Sequence, residues 1–177
     1  SGDIYDKAVP SAEAVEVFDR FIAGLNAALP DTAVMMIAGN HDSGPRINCF
    51  RSVLSRQNVY MIGQPPRVEG EQIERVVLED EFGPVNFYLL PFVRPSMVKQ
   101  LTGVDENGNN LSYDETLRRL IGREEIDPSQ RNVLVSHQFY LPAGTHAEDV
   151  ERMDSEIRTV GNIDQVSADT LERFDYA

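Results

Sequence analysis

The string Gly39-Asn40-His41-Asp42 constrains this chain more than any other feature. It follows Ala33-Val34-Met35-Met36-Ile37, an apolar run with the length of a short buried strand. From average residue usage, a given four-residue string occurs in a chain of this size about once in a thousand. An amide, an imidazole and a carboxylate delivered together at a strand end form a polar cluster on a rigid support. In layered α/β proteins, ligands bind where strands end. A structural reading stands beside the functional one. Gly and Asn suit a left-handed turn, and His41 can cap a neighbouring backbone group.

Two more polar sites sit at strand ends, Gly2-Asp3 and Ser136-His137, the latter after Val133-Leu134-Val135. A carboxylate oxygen, an amide oxygen and an imidazole nitrogen arriving this way make a donor set for a divalent ion. Nitrogen and oxygen donors without thiolate suit Mn, Fe, Mg or Zn. Taken alone, Asp3 reads as a cap or turn residue, and His137 reads equally as a core histidine or a ligand. His146 stands beside Glu148 and Asp149 and reads as exposed. Cys49 reads as packing on a helix face. Arg46, in Ser43-Gly44-Pro45-Arg46, leaves the cleft at the start of a helix, where an anion such as a nucleic-acid phosphate can bind. Its plainer reading is a pair with a surface carboxylate.

The rest of the chain alternates helix and strand. Val15, Phe18, Ile22 and Leu25 predict an amphipathic helix over 11–28, capped by Ser11 and ended by Pro30. A helix over about 46–57 and a strand over 59–62 follow. Residues 72–90 read as a hairpin through Asp80-Glu81-Phe82-Gly83, after which Pro91 and Pro95 break the chain. A polar loop over 105–110 leads to a helix over 112–123 and a strand over 131–136. Residues 141–158 are acidic and loop-like. The pattern predicts an α/β sandwich, built as a single domain over 1–177.

With one cysteine, an internal disulfide is excluded, which fits a reducing, cytoplasmic setting. No stretch approaches the ~20 apolar residues of a membrane span. The net charge of −13 argues against a nucleic-acid binder when taken alone, because phosphate contacts need Lys and Arg. A metal site needs carboxylates whatever its substrate, and bound cations reverse the local sign.

In this order the motifs resemble those of calcineurin-like metallophosphoesterases. Within that superfamily, the stretches Gly2-Asp3-Ile4-Tyr5-Asp6, Ile37 to Ser43 and Val133 to Phe139 look like the SbcD family of DNA repair exonucleases. The tail from Val160-Gly161 to Phe174-Asp175-Tyr176 is similar to the segment before that family's last motif. The resemblance implies a phosphodiesterase acting on DNA through two divalent metals, most often manganese. It implies that Asp3 bridges the metals and that Asn40 and His137 bind the second. His41 would face the scissile phosphate without being a ligand, and adjacency suggests that Asp42 orients His41. The implied partners are a coiled-coil ATPase of the SbcC type, DNA and a second nuclease subunit. The family's opening Asp-x-His and closing Gly-His-x-His motifs are not found in these residues. A sandwich truncated at both ends, at most one weak metal site and no useful activity of this chain alone are therefore expected.

Overall fold

The structure is a computed structural model that describes residues 2–49, 51–142, 145 and 164–177. His146, Val160-Gly161 and nearly all of the acidic stretch 141–158 lie outside the described residues. The chain is mixed α/β and divides into two compact units. One contains residues 1–65, 89–92 and 135–137, and the other 66–88, 93–134 and 138–177.

The first unit opens on the segment bearing Asp3 and continues into helix α1, Ala12–Ala28. The Ser11 side chain caps it, accepting from the Ala14 N–H at 3.2 Å. Of the predicted stripe, Phe18 and Ile22 pack against a core of Ala38, Ile47, Val59 and Met61. Val15 instead faces solvent, with Val17 and Phe21. The expected strands appear as β1, Val34–Ile37, and β2, Val59–Ile62. They pair in parallel, Val34 opposite Val59 and Ile37 opposite Ile62. Ile37 and Ile47 are almost wholly buried, and each such side chain stabilises the fold by roughly 1.5–3 kcal/mol.

The single helix expected over 46–57 is broken. Two short helices, α2 at Gly44–Ile47 and α3 at Arg51–Leu54, are followed by a 3₁₀ turn at Ser55–Gln57. Asn48 explains the first break. Its side chain accepts from the Gly63 N–H at 2.7 Å and donates to Gln64, so it anchors the chain to the end of β2. Asn58, in the left-handed region at φ 58°, ends the turn. Cys49 is exposed rather than packed on a helix face.

The second unit carries most of the three-stranded sheet β3-β4-β5, with β3 at Glu74–Asp80, β4 at Gly83–Leu90 and β5 at Arg131–Ser136. The two residues joining β3 to β4 require an antiparallel hairpin, as the turn signals predict. The prolines at 91 and 95 do not only break the chain. Pro95 opens helix α4, Pro95–Thr102, where a missing N–H costs nothing. Helix α5, Tyr113–Gly122, has Ser112 as its side-chain cap and places Asp114 and Glu115 at the positive end of its dipole. Leu117, Leu120 and Ile121 form its buried face. A further parallel pair, β6 at Phe139–Leu141 and β7 at Gln165–Ser167, is not visible in the sequence pattern. Among the described residues, no helix is long and apolar enough to cross a membrane.

Candidate functional site

The first unit brings Asp3, Asn40 and His137 together. His137 Nε2 lies 3.1 Å from Asn40 Oδ1 and 3.4 Å from Asp3 Oδ2. Asn40 is 97 positions from His137 in sequence and Asp3 is farther still, so only the fold makes them neighbours. Asn40 follows β1 and His137 follows β5, so both side chains leave the ends of ordered strands. The Asp3 and His137 side chains keep about a third of their surface open.

Glycines permit this approach. A Cβ on Gly2 would run into the His137 ring, and one on Gly39 would run into the Asp3 carboxylate. Asp3 sits in the left-handed region at φ 53°, uncommon for a residue with a side chain. Its Oδ1 accepts the His41 N–H at 3.0 Å, which leaves Oδ2 on the His137 side. Phe92 stands edge-on to the His137 ring, with centroids 6.4 Å apart.

His41 lies next to this trio without its ring joining it. Its Nδ1 is 3.1 Å from the Asp6 carbonyl oxygen. Donation from Nδ1 to that carbonyl fixes the ring and leaves Nε2 for other work. Asp42 does not do the task that adjacency suggested. Its Oδ2 accepts from the Ile4 and Gly39 N–H groups, both at 2.9 Å, and its Oδ1 from Tyr5, also at 2.9 Å. Asp6 is the orienting partner of His41, and it acts through its main chain. No side-chain pattern could have signalled that. Burial, and then the Asp42 charge, push the Tyr5 phenol above its usual pKa.

Arg46 is exposed on α2, away from any ion pair among the described residues. From Ser43 to Val68 the chain contains Arg46, Arg51, Arg56 and Arg67 and no Asp or Glu, a basic stretch in an acidic protein.

The donor set fits a divalent cation. With ligand bonds of about 2.0–2.2 Å, neighbouring donors on one ion sit roughly 3.0–3.5 Å apart, as these do. Without an ion, the His137 N–H can serve Asn40 and Asp3 directly, so the cluster also satisfies itself. Its only acid or imidazole members are Asp3 and His137. Among the described residues, no group of three or more His, Cys, Asp or Glu is placed to hold a metal.

No family model matches the chain. Among curated proteins it is similar to the SbcD component of the nuclease SbcCD from Staphylococcus epidermidis (strain ATCC 12228 / FDA PCI 1200), with 27% identity over 178 residues. The match covers 99% of this chain and 43% of that relative, so the chain spans less than half of the relative's length. The relationship to such nuclease subunits is distant.

Proposed function

We propose that this chain is part of a metal-dependent DNA nuclease subunit of the SbcD type, with a calcineurin-like metallophosphoesterase fold across residues 1–177. The observation that carries the reading is the meeting of Asp3, Asn40 and His137 from three distant segments. The distant similarity to the SbcCD nuclease points the same way.

In this reading Asn40, His137 and Asp3 would hold a divalent ion, Mn²⁺ by family resemblance, and Asp3 would also serve a second. Such ions lower the pKa of a bound water and offset charge on a phosphate. The residues of the chain do the remaining work. Asp3 is held by the His41 amide and keeps one oxygen toward His137. His41, locked by the Asp6 carbonyl, offers Nε2 toward a phosphodiester. There it can stabilise charge on oxygen or protonate the leaving group. Arg46 and its basic neighbours supply backbone phosphate contacts. An SbcC-type ATPase and a second copy of the nuclease chain complete the assembly, in DNA repair and recombination. The exposed Val17 and Phe21, one turn apart on α1, offer an apolar patch for a second copy.

The net charge of −13 favours a second reading, hydrolysis of a small phosphodiester or a phosphoprotein rather than a polyanion. The test is Mn²⁺-dependent hydrolysis by the full-length natural protein, on linear duplex DNA and on a cyclic dinucleotide. Cleavage of DNA that falls about 10²–10⁴-fold in His41→Ala, with metal content unchanged, supports the nuclease reading. Turnover of the dinucleotide alone moves the substrate to the second reading.

A further inference from the structure

Asp42 spends its whole carboxylate on backbone. Two of its three acceptor bonds reach Ile4 and Tyr5, 38 and 37 positions away, and the third closes the turn at Gly39. Ile4 and Tyr5 directly follow Asp3. The amide of His41 returns the connection by donating to Asp3 Oδ1. Each segment therefore offers a carboxylate to amides of the other. The stitch is drawn over Gly39, whose missing Cβ leaves room for the Asp3 side chain. It also holds Asp3 at its positive φ.

We propose that Asp42 is the positioning residue for Asp3: its carboxylate fixes the segment after Asp3, and so sets where the Asp3 oxygens stand relative to Asn40 and His137. This rests on the metal-site reading above for its consequence, but not for its geometry. Two acceptor oxygens are required, because Oδ1 takes the Tyr5 N–H while Oδ2 takes those of Ile4 and Gly39. An amide in their place presents one acceptor and one donor, and the donor must face an N–H. A misplaced Asp3 weakens any ion it helps to hold, as loss of outer-shell partners commonly does, by about 10–100-fold.

The experiment is amide hydrogen exchange on the 177-residue chain without metal, followed by Mn²⁺ titration, for wild type, Asp42→Asn and Asp42→Glu. Asp42→Asn should speed exchange at Ile4 and Tyr5 about tenfold or more. It should do the same at His41, whose amide is bonded to Asp3 and not to Asp42. Ile62, at the end of β2, should be unaffected, whereas a general loss of stability would speed all of these amides together. Mn²⁺ affinity should fall about 10–100-fold, and Asp42→Glu, which keeps both oxygens, should recover part of each effect. An unchanged His41 amide in Asp42→Asn overturns the proposal, and so does unchanged Mn²⁺ affinity. If wild type takes no Mn²⁺ at all, the metal reading fails and the His41 amide alone decides whether Asp42 positions Asp3. Should Asp42→Asn not fold, free exchange at Ile4, Tyr5 or His41 in the wild-type chain overturns it.

Discussion

Two polar clusters in this molecule use similar residues to opposite ends. In the second unit, Asn132 is 1% exposed, and its side chain donates to the Asp127 and Gln130 carbonyls. Its Oδ1 accepts from Asn86, its N–H donates to Asp175 Oδ2, and its carbonyl accepts the Asp175 N–H. Every polar group of that residue is spent. In the first unit, Asn40, Asp3 and His137 also meet, but the Asp3 and His137 side chains keep about a third of their surface open. A closed network specifies a fold. An open convergence of donors leaves capacity for a ligand. The contrast teaches that burial, rather than the presence of Asn, Asp or His, separates a closed scaffold network from a candidate site.

The largest expected effect breaks the closed cluster. Asn132→Ala should lower unfolding stability by about 2–4 kcal/mol, because it strands several buried partners. Denaturant titration measures this. A change below about 1 kcal/mol would make the network dispensable. The matching change in the open cluster should behave in reverse. His137→Ala should cost little stability but lower Mn²⁺ affinity about 10-fold or more, read by calorimetry on both proteins.

A third prediction concerns two carboxyls of the second unit with opposite shifts. Glu124 is buried, and desolvation pushes its carboxyl above the usual range despite the Ile73 amide and nearby arginines. Its folded pKa lies above its unfolded value, so the folded state holds the proton longer. Its contribution is then fully present below about pH 4.3 and is lost as pH rises through the raised value. Glu124→Gln should flatten that fall in pH-dependent melting. Asp80 runs the other way. The hydrogen bond from Arg131, foremost, lowers it to about 2. Its contribution is present above about pH 3.9 and disappears as pH falls toward 2. Arg131→Gln should return the Asp80 carboxyl toward the usual range in an NMR titration.

The smallest effect concerns Arg46. In the full-length natural protein, Arg46→Ala should weaken binding to duplex DNA and reduce the salt slope by about 1. An unchanged slope would make Arg46 an ordinary surface cation.

Much of the fold is legible in the sequence because it is local. The cap at Ser11, the strands 34–37, 59–62 and 131–136, and the helix after Ser112 follow from periodicity and capping within a few residues. The convergence of Asp3, Asn40 and His137 is expected from their places at predicted strand ends together with the motif resemblance. What stays hidden depends on long-range main-chain bonds. Asp42 serves amides 37 and 38 residues away, His41 faces a carbonyl of Asp6, and Asn48 breaks a helix by reaching Gly63. Pro95 misleads because proline both ends and begins helices. Parallel pairing of β6 with β7 joins segments distant in sequence, and neither segment is long enough to show a period.

The most direct test of the central claim is an NMR titration of the 177-residue chain with Mn²⁺, whose paramagnetism broadens nearby amides even when binding is weak. The account predicts that Asp3, Asn40 and His137 broaden first, and that His137→Ala abolishes this while leaving the rest of the spectrum in place. Broadening that begins at the acidic surface instead, or that survives His137→Ala unchanged, would contradict it.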